Sequence, residues 1–217
     1  LISLSFQVSL DTGVHPITTM KNFIQIIDNA FSDRLCDDLV EFYQDNESQM
    51  NLLDYSFDKD GEGANNVRTR QILLCNVNLE EDRLIRRIQT SFQKVVAKYI
   101  ETVDTFSAHI DEGLFLRRIH GATRSHIDGL YCTDDNGKLF ERKLSVIVGL
   151  NSDFEGGLFT FPFQDFQTTV KKGQAICFPP YYTHPHEVSE PTKGYRYTIN
   201  TWLIDCLLYT SDAADDN

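Results

Sequence analysis

No apolar run in this 217-residue chain approaches the roughly 20 residues that a helix needs to cross a bilayer, and no membrane partner is expected. Positive charge is scarce as well. Twenty Lys and Arg face 32 Asp and Glu, for a net charge of -12 and a pI near 4.8. Non-specific affinity for nucleic acid comes from clustered Lys and Arg, so a phosphate backbone is not expected as partner. Paired cysteine motifs are missing too: Cys36, Cys75, Cys132, Cys177 and Cys206 are odd in number, far apart and never spaced Cys-x-x-Cys. That pattern reads as reduced thiols of a cytoplasmic protein and not as a disulfide framework. There is a single Trp, and neither an internal repeat nor a low-complexity segment. Residues 1–19 lack the basic start and continuous apolar stretch of a signal peptide, and Met20 would make a natural start. They are expected to form a non-native or disordered leader. Residues 207–217, small and acidic, are expected to form a disordered tail of adaptor or read-through origin.

What remains is 41% hydrophobic overall, enough for one globular unit with a substantial core. Phe23 to Asp28 alternates as a strand should, and Ser32 suits the N-cap of a helix over about 33 to 45 with Leu35, Leu39 and Phe42 on one face. A second helix is expected after Asn78. Glu80, Glu81 and Asp82 suit its positive N-terminus, and Leu84, Ile85, Ile88, Phe92, Val95, Val96 and Tyr99 keep helical period. Between the helices, Asp54 to Asn66 is polar and Gly-rich, the composition of a loop, and precedes a strand over 67–74. After Gly113 the pattern switches to short strands separated by turn signals, as in a sandwich or jelly roll. The expected strands are Leu114–Arg118, Leu144–Leu150, Leu158–Phe161, Thr168–Lys171, Gln174–Phe178 and Tyr195–Leu203. Gly156, Gly157 and Gly173 fall where tight turns need a positive φ.

Chemistry concentrates in the last third. His126 and Asp128 are two apart, so on a regular strand both side chains leave from one face and can meet one ion. Alone the tripeptide is weak, because about half of one is expected by chance in a chain so composed. His184 and His186, also two apart, compete to supply a third ligand. Two histidines and a carboxylate on one face of a metal leave positions open, the arrangement with which non-haem Fe(II) oxygenases activate O2. Arg196 stands on the otherwise apolar strand Tyr195–Leu203, where a carboxylate-clamping fork would explain it.

The surroundings make the set specific. In order they are Arg124-Ser-His126-Ile-Asp128-Gly-Leu-Tyr131, Leu144-Ser-Val-Ile-Val-Gly-Leu-Asn151, Phe154-Glu-Gly156-Gly157-Leu-Phe-Thr-Phe161-Pro162, Lys172-Gly173-Gln-Ala-Ile-Cys-Phe178-Pro179, His184-Pro-His186-Glu-Val188 and Gly194-Tyr-Arg196-Tyr-Thr-Ile-Asn-Thr-Trp202. Read together they resemble the catalytic domain of the 2-oxoglutarate and Fe(II)-dependent dioxygenases, in the prolyl 4-hydroxylase-like branch, strongly over about residues 110 to 204 and loosely over 20 to 109.

The resemblance implies a mainly β, α+β fold: a double-stranded β-helix (jelly roll) with N-terminal helices packed on one sheet. Residues 20–206 would form a single domain, with 20–109 as helical support and 110–206 as the core. It implies His126, Asp128 and His186 as metal ligands. His186 is preferred to His184 because the family pattern places Val two residues and the basic residue ten residues after the ligand, here Val188 and Arg196. Arg196, assisted by Thr198, would hold the distal carboxylate of 2-oxoglutarate. Many prolyl hydroxylases carry Tyr three positions before the first ligand, where this chain has Thr123, and Tyr131 or Ser145 is expected to replace its hydrogen bond. Arg68, Trp202 and His184 are candidate substrate contacts, though ordinary exposure or packing would also account for them. Fe(II), 2-oxoglutarate, O2 and ascorbate as reductant are implied. So is hydroxylation of an unactivated C–H bond on a prolyl or other peptidyl residue, with release of succinate and CO2; a free amino acid or small metabolite is the near variant. Rival readings are a non-catalytic jelly-roll metal binder and a zinc hydrolase using Glu187 or Glu155 as base, although no His-Glu-x-x-His helix is present.

Overall fold

The two-residue alternation of apolar side chains after residue 110 becomes, in the computed structural model, stacked antiparallel sheets with helices on the outside of one. The structure describes residues 20–21, 23–49, 51–52, 69–74, 82–108, 110–129, 131–133 and 139–206. The expected leader 1–19, the loop 54–66, the helix cap Asn78 and the tail 207–217 lie outside the described residues.

The elements run β1 (Met20–Lys21), β2 (Ile24–Ile27), α1 (Asp33–Asp45), β3 (Asn51–Leu52), β4 (Thr69–Leu73), α2 (Asp82–Thr102), β5 (Ile110–Asp111), β6 (Phe115–Ile119), β7 (Thr123–His126), β8 (Tyr131–Thr133), β9 (Leu139–Gly149), β10 (Glu155–Gly156), β11 (Phe159–Phe161), β12 (Phe166–Thr168), β13 (Ala175–Phe178), β14 (His186–Val188), β15 (Pro191–Lys193) and β16 (Arg196–Cys206). The major sheet has the order β1-β2-β13-β9-β16-β6-β4-β3, with β5 on β16 and β8 on β9. The minor sheet is β12-β11-β14-β7. This is the expected jelly-roll core.

Alternation along the major sheet divides the interior in two. Leu144, Val146 and Val148 of β9, Ala175 and Cys177 of β13, and Tyr197, Ile199 and Leu203 of β16 face the helices in one cluster. Ile176 and Phe178 face the minor sheet, where they meet Phe159, Phe161 and Val188, with Ile147 packed against them. Helix α1 begins where the Ser32 hydroxyl accepts the Leu35 N–H, satisfying one of the donors a helix start leaves open. It buries Leu35, Cys36, Leu39 and Tyr43. Helix α2 buries Leu84, Ile88, Phe92, Val95, Val96 and Tyr99, the stripe that its period predicts. Phe31 meets Phe92 edge-on at 5.2 Å, and Arg87 pairs with Asp38 across the helices at 2.5 Å.

Two strand expectations are corrected. Thr168–Lys171 is not a strand; β12 lies earlier, because the turn Pro162–Gln164 ends with Asp165 in the left-handed region (φ 46°) and brings Phe166 opposite Phe161. Strand β7 ends at His126, so Asp128 follows the strand instead of sharing it. Cys36 and Cys177 are free and buried; burial pushes the Cys36 thiol up to about 11 and Cys177 higher still. Among the described residues no helix is long and apolar enough to cross a membrane.

Asp111 is 3% exposed, and burial raises its carboxyl to about 6 against a backbone hydrogen bond from Gly113. A carboxyl whose folded pKa is raised destabilises the fold once ionised. That penalty is complete above about pH 6 and disappears as pH falls toward the unfolded value. Asp111→Asn should therefore raise the thermal midpoint by several degrees at about pH 8 and leave it unchanged at about pH 4. Melting curves at the two pH values check this.

Candidate metal centre

Antiparallel pairing of β7 with β14 sets His126 directly opposite His186, which closes the 60-residue sequence gap between them. Their ring centroids are 4.4 Å apart. His186 is held between Phe161, stacked at 5.3 Å, and Phe178, edge-on at 4.6 Å. Each imidazole turns its Nδ1 to a backbone carbonyl: His126 to Arg124 at 2.8 Å and His186 to His184 at 3.2 Å. A carbonyl only accepts, so Nδ1 carries the proton and Nε2 is left with its lone pair for a cation.

Asp128 completes the cluster just beyond β7. Its Oδ1 lies 3.3 Å from His126 Nε2 and 3.7 Å from His186 Nε2. Its Oδ2 accepts from the Ser145 hydroxyl and, at 3.0 Å, from Trp202 Nε1. Arg142, paired with Glu112, donates to the Asp128 carbonyl. The second carboxylate oxygen and the backbone are thus engaged, and Oδ1 points at the histidines. Burial opposes ionisation of Asp128, but hydrogen bonding from His126, charge from His186 and His126, and the Ser145 hydrogen bond hold it well below the usual carboxylate range. Burial would lower His126, but Asp128 raises it; burial lowers His186. One donor atom from each of His126, Asp128 and His186 lies within 4.8 Å of the others. Two neutral imidazole nitrogens and one carboxylate oxygen suit a divalent ion such as Fe(II) and leave coordination positions for other groups.

A cavity of about 60 Å3 adjoins the cluster and is lined also by Arg117, Arg196, Thr198, Asn200 and Trp202. Arg196, Thr198, Asn200 and Trp202 are two apart on β16 and share the inward face. Arg196 is 4% exposed and lies over the Phe159 ring at 5.2 Å. Burial and the neighbouring Arg117 push its guanidinium down to about 10. Among the described residues Arg196 Nε, Thr198 Oγ1 and Asn200 Oδ1 are buried without a hydrogen-bond partner. Orphaned polar atoms in a cavity beside a metal-binding cluster fit a polar ligand such as 2-oxoglutarate. Gly157, at φ 67°, passes this arginine so closely that a Cβ would stand 3.1 Å from Arg196 Cδ and 2.9 Å from Phe154.

The structure brings together His126, Asp128, His186, Arg196, Thr198 and Trp202. Ser145, expected to reach the co-substrate, instead gives its hydroxyl to Asp128. Trp202, a candidate substrate contact, lines the cavity but donates to the same carboxylate. His184 is buried with Nδ1 2.8 Å from the Thr183 hydroxyl and stands outside the three-residue cluster, while its carbonyl orients His186. Thr123 lines the cavity in place of tyrosine. The side chain of Tyr131 and all of Arg68 lie outside the described residues. Sequence reasoning missed Asn200 and Arg117. Asn200 continues the two-residue face of Arg196 and Thr198. Arg117 and Arg118 are adjacent on one strand, which obliges one of them to point inward.

Trp202→Phe removes one donor to Asp128 Oδ2 while retaining an aromatic ring beside Phe115 and Arg142. Loss of such a supporting contact costs about tenfold or more in metal affinity. Competitive titration with a chelator should show weaker metal binding at an unchanged thermal midpoint.

A family model, the 2OG-Fe(II) oxygenase superfamily, matches residues 96–204, half of the chain. Prolyl 3-hydroxylase 1 of Gallus gallus is 35% identical over 81 residues, which cover 35% of this chain and 11% of that protein. The human prolyl 3-hydroxylase 1 is 27% identical over 120 residues, covering 53% and 15%. This chain therefore matches only a small part of those relatives' length. Among solved structures, the 2OG complex of the viral collagen prolyl hydroxylase from Paramecium Bursaria Chlorella virus-1 superposes with a TM-score of 0.61 at 20% identity, covering 84% of this chain and 96% of that one. A Pseudomonas putida prolyl-4-hydroxylase gives 0.59 at 14% identity, with 83% and 91% covered. At such identities these two show the fold alone. With the family model covering His126, His186, Asp128 and Arg196, the chain belongs to the 2OG-Fe(II) oxygenase superfamily.

Proposed function

We propose that His126, Asp128 and His186 hold the Fe(II), that Arg196 and Thr198 hold the distal carboxylate of 2-oxoglutarate, and that the substrate is a prolyl or other peptidyl residue. The observation that carries this is the juxtaposition of a three-donor cluster with a buried arginine that has no carboxylate partner among the described residues. Fe(II) held there would activate O2, one oxygen atom of which would oxidise 2-oxoglutarate to succinate and CO2 and the other hydroxylate an unactivated C–H bond.

The chain's own residues do the rest. Carbonyls of Arg124 and His184 fix both imidazoles in the metal-binding tautomer. Ser145 and Trp202 hold Asp128 so that one oxygen faces the ion. Phe159, Phe161, Phe178 and Val188 keep the floor of the site apolar, which excludes bulk water from a reactive centre. The peptidyl substrate is supported by the prolyl 3-hydroxylase relatives and by the acidic net charge, which suits a neutral or basic peptide.

The test is mass spectrometry after incubating the protein with proline-rich peptides and a metabolite mixture, together with Fe(II), 2-oxoglutarate and ascorbate. A peptide heavier by one oxygen at proline, with matching succinate, is expected. Oxygen gained only by a free amino acid or metabolite would overturn the peptidyl assignment.

A further inference from the structure

Arginines in this fold are mostly paired with carboxylates where they are partly buried: Arg87 with Asp38, Arg118 with Glu47, Arg142 with Glu112. The two in the cavity are not. Arg117 is 9% exposed on β6, its Cα opposite Thr198 of β16. Its Nε donates to the neutral Gln71 side chain at 2.9 Å, and its guanidinium lies 5.5 Å from the Trp202 ring and 5.6 Å from Phe115. No carboxylate pairs with it among the described residues. Arg196 is in the same position, and burial together with the neighbouring Arg117 disfavours its charge. Among the described residues the one carboxylate lining the cavity is Asp128, already engaged by two histidines, Ser145 and Trp202. Two buried like charges without a counter-ion are unfavourable unless a ligand provides the anion.

We propose that Arg117 is a second carboxylate-binding residue of the co-substrate pocket, acting beside Arg196 on the dicarboxylate. This rests on the reading of the cavity as the 2-oxoglutarate site. A guanidinium with its Nε engaged by Gln71 and its faces on aromatic rings is preorganised, and its terminal N–H groups, unpaired among the described residues, can grip an anion in two parallel bonds. Arg118, next in sequence, cannot serve, because its side chain leaves the opposite face of β6 toward Tyr43 and Glu47.

The experiment is calorimetric titration of the Zn(II)-substituted protein, which does not turn over, with 2-oxoglutarate and with 2-oxobutyrate, which keeps the 2-oxo acid end but lacks the second carboxylate. Arg117→Gln should weaken 2-oxoglutarate binding by about 10- to 150-fold, the range for a lost charged hydrogen bond, and shrink the thermal shift that the ligand produces. Arg117→Lys should recover most of the affinity and leave a several-fold loss, since charge remains and the planar fork does not. A matching loss with 2-oxobutyrate places Arg117 on the carboxylate of the 2-oxo acid end. A loss confined to 2-oxoglutarate places it on the distal carboxylate with Arg196. Wild-type affinity in Arg117→Gln, with affinity lost in Arg196→Gln, overturns the proposal and leaves the pocket reading intact. No 2-oxoglutarate binding by the wild-type protein overturns both. Should Arg117→Gln fail to fold, Arg117→Lys decides alone: unchanged affinity overturns the proposal and a several-fold loss supports it.

Discussion

Asp128→Ala lowers succinate release by on the order of a thousandfold or more, since even supporting contacts of a ligand are worth 10- to 100-fold in metal affinity or activity. Asp128 is the one anionic member of the cluster, and its Oδ1 faces both imidazoles. Without it two neutral nitrogens remain and the charge that balances a divalent ion is gone. The fold should survive. The Asp128 carboxylate closes no apolar core, and the groups it leaves unpaired, Ser145 Oγ and Trp202 Nε1, line a site roomy enough for water. A circular dichroism melt near that of wild type, together with lost metal binding and lost succinate, is the expected combination. Succinate release that persists in this variant would contradict the ligand assignment.

Arg196→Leu weakens 2-oxoglutarate binding by about a hundredfold, in line with losses of a few kcal/mol when one partner of a buried charge pair is truncated. The same substitution should raise the thermal midpoint of the ligand-free protein by a few degrees. Arg196 is buried, its Nε has no partner among the described residues, and burial with Arg117 beside it already depresses its pKa. An unpaired buried charge is unfavourable, and leucine suits a site walled by Phe159, Ile147 and Val188. Opposite movement of stability and affinity marks a residue kept for its ligand. A lower midpoint with unchanged 2-oxoglutarate affinity would mean that Arg196 has a structural role instead. Gly157→Ala should act on the same arginine from behind, because the added Cβ would press on Arg196 Cδ. The expected result is a raised KM for 2-oxoglutarate with a smaller change in kcat.

Much of the fold was legible because its patterns are periodic. The helical stripe from Leu84 to Tyr99 and the alternation in β9, β13 and β16 follow directly from which face is buried. The missed β12 boundary has a local cause: Asp165 adopts a left-handed backbone that no sequence period announces. The site was legible through the offset from His186 to Arg196, which β14 and β16 convert into an ion cluster with an adjoining cavity. What could not be read is which hydroxyl or ring faces which atom. Ser145 and Trp202 converge on Asp128 because β9 and β16 pair with Trp202 opposite Ser145, a register that spacing alone does not fix. Arg117 escaped because its partner face is set by pairing of β6 with both β4 and β16.

The central claim is that one Fe(II) and one 2-oxoglutarate meet at His126, Asp128 and His186. Anaerobic addition of both to the protein, followed by visible absorption, tests it most directly. The account predicts a metal-to-ligand charge-transfer band that needs both additions and is absent from Asp128→Ala; no band in the wild-type protein, or an equal band in that variant, would contradict it.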